Sequence, residues 1–313
     1  MKTCHVCGNI TGDHAQFCRI CGTMLPSSDQ PKKCGFWATL GKVLLYVLMF
    51  FVVQTVVSMV VGIVMGTVVG LSSATISPEE LETKLNEMLN GALPIISLVS
   101  NLIFVIGILI FFAARKKNPA KEVRLRKFPL WTIPVCAVFG YCVNPIISFV
   151  SALIPWPEHI VQYYNSSTES LVSGNLLLTV IAISIVTGFT EEFLFRGIVM
   201  TRLKRIFSST VTVTVSALIF AAVHLNPISF VGIFVLAIIL GIIFFKYDSV
   251  IPCMIVHAFF NLFAIFGFPF DNTVFVFGFI FMCAAVALGT GYILLKKDSS
   301  LETDVDNEVD VTE

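Results

Sequence analysis

Glu191, Glu192 and Arg196 stand within six residues of one another in the stretch TGFTEEFLFRG, residues 187–197, and the chain on either side is almost wholly apolar. A charge at the centre of a bilayer costs about 2.5–3.5 kcal/mol on insertion scales, so three ionisable groups here need partners or a purpose. On a helix Glu192 and Arg196 face each other four residues apart, with the acid on the N-terminal side, and can neutralise one another. Glu191 is rotated by about 100° from Glu192 and is left without a counter-ion on its own helix. Two histidines lie in other apolar segments. His224 ends FAAVH, one turn after Phe220, and His257 begins HAFFN, one turn before Asn261. A carboxylate, two imidazoles and an amide are a sufficient set for hydrolysis: a base, a second proton handler and donors to an oxyanion.

These residues must be carried by membrane-embedded elements. The 313-residue chain is 56% hydrophobic and 13% charged, whereas soluble domains carry about 25% charged residues. The pattern predicts an all-α polytopic membrane protein, a bundle of about eight transmembrane helices over residues 37–70, 93–114, 130–154, 176–200, 209–225, 228–246, 249–268 and 273–295. The loop at 115–127 carries seven of the 20 Lys and Arg residues. Further bases flank the first, fourth, sixth and eighth spans on the same side. The positive-inside rule therefore predicts cytoplasmic termini in a multi-pass protein of the cell membrane. The polar N-terminus and long first span predict no cleavable signal peptide.

Outside the spans, SPEELETKLNEML at 77–89 predicts an amphipathic surface helix, with Ser77 and Glu80 as a capping box. Residues 155–175 read as an outer loop, with a formal sequon at Asn165. At the N-terminus Cys4 and Cys7, then Cys18 and Cys21, form two CxxC pairs, each followed by glycine. Four thiolates complete a tetrahedral Zn²⁺ site, which makes it structural rather than catalytic. The domain reading is a zinc ribbon at 1–25, a linker at 26–36, the helical bundle at 37–297 with a protease-like core at about 130–270, and an acidic disordered tail at 298–313. The ribbon resembles those at the ends of many bacterial membrane proteins.

EEFLFR, FAAVH and HAFFN, in that order, resemble the EExxxR, FxxxH and HxxxN motifs of the CPBP intramembrane proteases, the CAAX-prenyl-protease and bacteriocin-processing group also called ABI proteins. The resemblance implies a glutamate-dependent endopeptidase needing no catalytic cofactor. It implies that Glu191 and His224 activate water, that His257 and Asn261 stabilise the oxyanion, and that Glu192 and Arg196 shape the site. A Glu/His/His set could also hold Zn²⁺, although no HExxH spacing occurs. The implied partners are a membrane-associated protein or peptide substrate, the lipid bilayer, and a protein docking on the ribbon; nucleic acid is not expected. Two other classes stay open from the residues alone. One is a non-catalytic scaffold or bacteriocin-immunity protein using the ribbon as an interaction module. The other is a transporter with a Glu/His proton relay, which inverted repeats would favour; the sequence shows none.

Overall fold

The computed structural model describes residues 2–3, 10–11, 35–72, 77–172, 174–268 and 272–296. Cys4, Cys7, Cys18 and Cys21, the linker up to residue 34 and the 298–313 tail lie outside the described residues. Near the N-terminus two short strands, β1 (Lys2–Thr3) and β2 (Ile10–Thr11), pair antiparallel, with Lys2 opposite Thr11.

Apart from connecting turns, the other described residues are helical. The first two helices, α1 (Phe36–Ser72) and α2 (Pro78–Ala114), pack against each other and have 37 residues each. Each is therefore about 55 Å long, well over a hydrocarbon core of about 30 Å. The separate surface helix expected at 77–89 is not separate. Ser77 does cap it, accepting from Glu80 N at 3.3 Å, but the helix runs on through Gly91 and Pro94 into the apolar stretch. A proline costs a helix one backbone hydrogen bond, which one continuous apolar face can override.

The basic loop contains a short helix, α3 (Pro119–Glu122), capped by Asn118. Arg124 and Arg126 both pair with Asp248, at 3.0 and 2.7 Å, and Val250 N donates to Arg124 O. The loop is thereby tied to the start of a distant helix. The expected outer loop at 155–175 is also corrected. It contains α5 (Glu158–Val172), which carries Asn165. Local bonds four residues apart, such as Gln162 to Glu158 and Ser167 to Tyr163 O, support this largely exposed helix without an apolar run.

The remaining elements are α4 (Thr132–Ala152), a continuous helical segment α6 over Leu176–Leu203, α7 (Ser209–Ala222), α8 (Pro227–Tyr247), α9 (Ile251–Phe266) and α10 (Thr273–Leu295). Six helices among the described residues, α1, α2, α4, α6, α8 and α10, are long and apolar enough to cross a membrane. The other two apolar segments, α7 and α9, have 14 and 16 residues, about 21 and 24 Å.

Packing brings the polar residues together. Helix α9 lies against α4 and α6, α7 against α8, and α2 against α6. The α4–α9 crossing is close because Gly140 faces the Val256 backbone, where a Cβ would collide with the carbonyl. Small residues at such crossings let membrane helices approach backbone to backbone. Gly197 plays the same part where α6 meets Val123 of the basic loop.

Candidate active site

The segment bearing the two glutamates is not a uniform α-helix. Residues Val180–Thr187 and Phe193–Met200 are π-helical, and the α-helical turn Gly188–Glu192 lies between them. Hydroxyls follow the wider ladder: Thr187 donates to Ala182 O and Thr201 to Arg196 O, each five residues back. Such π-turns recur at functional sites, because they re-aim side chains that a regular helix would space evenly.

Glu192 and Arg196 are paired as their spacing predicts. Arg196 Nη1 lies 2.7 Å from Glu192 Oε1, and both side chains are fully buried, at 1% and 0% exposure. Of the pair's remaining polar atoms, Glu192 Oε2 and Arg196 Nε are buried without a hydrogen-bond partner, whereas the other guanidinium nitrogen is held. Arg196 Nη2 donates to Ala237 O of α8 at 2.9 Å, and the guanidinium lies 4.9 Å from the centre of the Phe220 ring on α7. The pair thus joins α6, α7 and α8.

A third partner was not foreseen. His257 Nδ1 donates to Glu192 Oε1 at 2.8 Å, while its Nε2 lies 3.7 Å from Glu191 Oε2. One imidazole therefore bridges the two adjacent glutamates. Glu191 is the more open of the two, with 14% of its side chain exposed. It faces His257 across a gap longer than a direct hydrogen bond.

His224 is half-buried at the end of α7. Its Nδ1 lies 2.7 Å from Phe220 O. A carbonyl only accepts, so Nδ1 carries a proton; in the neutral ring Nε2 is then the accepting nitrogen. Phe220 sits between the histidines, its ring edge-on to His224 at 5.0 Å and to His257 at 5.9 Å. Among the described residues, Glu191 and His224 are not within ion-pair distance; the contact is with His257. Asn261 lies one turn beyond His257 and donates through Nδ2 to Ile183 O at 3.2 Å. An amide nitrogen carries two protons, so one remains for a ligand. Among the described residues no group of three or more His, Cys, Asp or Glu side chains is disposed to hold a metal ion.

Further residues hold these groups in place. Ser184 donates to Ala258 O at 2.6 Å and Asn144 to Phe260 O at 2.9 Å, so α6 and α4 grip α9 on either side of the residues next to His257 and Asn261. On the α2 side, Ser97 and Asn101 both bond Thr187, at 2.9 and 3.1 Å. The sequence carried a signal for Asn101 and Asn144, each a lone amide in an apolar run, but not for their partners.

The comparison with known families falls on this constellation. Residues 173–263 match the Type II CAAX prenyl endopeptidase Rce1-like family. That window contains Glu191, Glu192, Arg196, His224, His257 and Asn261, and covers less than a third of the chain. No curated protein and no solved structure matches the chain.

Proposed function

We propose that this protein is an intramembrane endopeptidase of the glutamic type, acting on a membrane-associated protein or peptide. The observation that carries the reading is the unequal pair of acids. Glu192 is fully buried with Oε1 accepting from both Arg196 and His257, whereas Glu191 keeps a partly exposed carboxylate beside an imidazole. The match over 173–263 supports endopeptidase activity.

In the reaction, Glu191 takes a proton from water as the water oxygen bonds to the scissile carbonyl carbon. His224, with its free Nε2, is the second proton handler. The carbonyl oxygen becomes an oxyanion held by His257 Nε2–H and the spare Asn261 N–H. With its Nδ1–H engaged by Glu192, His257 donates from Nε2 only when the ring carries both protons. The C–N bond then breaks. The proton first taken from water passes to the leaving nitrogen, giving a free amine and a carboxylic acid, and the acid's hydroxyl proton is then taken by His224 Nε2 as it becomes a carboxylate. Glu192 and Arg196 touch no reacting atom and act through His257 as positioning residues.

Glu191→Gln keeps the shape and removes the basicity. Cleavage of membrane-anchored peptides by purified protein should fall by about 10²–10⁴, with thermal stability close to wild type. A wild-type rate in this variant overturns the mechanism.

The N-terminal cysteines belong to a separate element. We infer that Cys4, Cys7, Cys18 and Cys21 bind one structural Zn²⁺, because their spacing supplies four thiolates. Zinc analysis of the purified, reduced protein should give one equivalent, lost on Cys4→Ser with Cys18→Ser; an unchanged zinc content removes the assignment.

A further inference from the structure

At the end of the bundle that carries the basic loop, far along α6 from the glutamates, lies a second polar feature. A cavity of about 300 Å³ opens between α1, the end of α2, α3 and the end of α6. Five cations line it: Lys42, Arg115, Lys117, Arg202 and Arg205. Only one carboxylate faces them. Glu122 is 2.9 Å from Lys117 and 3.6 Å from Arg202, so a single acid is shared between two bases. Lys42, Arg115 and Arg205 have no ion-pair partner among the described residues. The cavity therefore carries an excess of positive charge.

Two of its groups are built in rather than loosely exposed. Arg202 is only 7% exposed. It is fixed by Ile198 O at 3.1 Å, by the Tyr46 hydroxyl at 3.4 Å and by the Tyr46 ring beneath it at 4.7 Å. Thr39, also in the lining, is 2% exposed, and its hydroxyl has no hydrogen-bond partner. A buried hydroxyl without a partner costs free energy unless something supplies one. The remaining lining includes Leu45 and Met49, which are 55% and 37% exposed on the outer face of the span-length helix α1.

We propose that this cavity binds the headgroup of an anionic phospholipid. The guanidinium groups and Lys42 take the phosphate, and the Thr39 hydroxyl donates to one of its oxygens. The acyl chains run out along Leu45 and Met49. That apolar side selects a lipid over a soluble phosphate, because the mouth opens across side chains of a membrane helix. Basic pockets between helices at a membrane interface suit such headgroups. The inference rests on the membrane location of the bundle and does not depend on the peptidase reading.

The test uses the full chain in neutral phosphatidylcholine micelles, with thermal unfolding and native mass spectrometry as readouts. Added phosphatidylglycerol should raise the unfolding temperature and remain bound. Added phosphatidylcholine and millimolar inorganic phosphate should do neither. The triple variant Lys42→Gln, Arg115→Gln, Arg205→Gln should weaken phosphatidylglycerol binding by about a hundredfold, each interfacial cation being worth roughly fivefold. Thr39→Val, which keeps the shape, should weaken it a few-fold. Equal responses to both lipids, full reproduction of the effect by inorganic phosphate, or undiminished binding in the triple variant overturns the proposal. Should the triple variant not fold, the wild-type response to phosphatidylglycerol must decline as salt is raised; a salt-independent response overturns it equally.

Discussion

Glu191 and Glu192 are neighbours in the chain and live in opposite surroundings. Glu192 is fully buried, with one oxygen accepting from both Arg196 and His257. Glu191 is partly open and has a single, longer approach to His257. The first side chain ties α6 to α9 and, through Arg196, to α8; the second is held beside them with capacity to spare. A membrane site can thus keep one reactive carboxylate by committing its neighbour to structure. Both acids lie on the α-helical turn Gly188–Glu192, which is bounded by π-helical turns on either side.

This contrast can be broken from the structural side first. Arg196→Ala leaves the Glu192 carboxylate buried without its cation, so it should destabilise the bundle by about 3–5 kcal/mol and remove cleavage with it. Thermal unfolding in detergent reads the loss; a variant as stable as wild type would mean that the pair does not hold the helices. Glu191→Gln should show the opposite split, with activity lost and stability kept, and the two variants together define the division of labour. A smaller effect is expected from Asn261→Ala. Losing one oxyanion donor costs about 10²–10³ in rate, so weak cleavage should persist, chiefly as a lower kcat. Because Asn261 also bonds Ile183 O, a modest drop in unfolding temperature should accompany it. Loss of stability with unaltered kcat would make Asn261 a helix-packing residue only.

Much of this arrangement was legible in the chain. The Glu192–Arg196 pair follows from four-residue spacing, which a helix turns directly into proximity. His224 and His257 stood out because ionisable groups are rare in apolar runs. The bond between His257 and Glu192 was not legible, because it joins residues 65 apart and depends on how closely α9 approaches α6. That approach is set by packing, as at Gly140 against Val256. The π-turns escaped for a related reason: the apolar pattern of Val180–Thr187 fits either ladder, and tertiary contacts choose between them. Residues 77–114 misled in the other direction. The surface helix expected at 77–89 and the span expected at 93–114 form one continuous helix, through Gly91 and Pro94. Helix α5 was missed because its support comes from polar contacts along its own length rather than from a buried face.

The brevity of α7 bears on more than topology. At 14 residues it is about 21 Å long beside a hydrocarbon layer of about 30 Å. His224 follows its last turn, and Leu218 and Leu225 are turned outward nearby. Lipids packed against a helix of that length shorten or splay, at a cost of fractions of a kcal/mol for each ångström of mismatch. Under the peptidase reading proposed above, such thinning shortens the path of a water to His224.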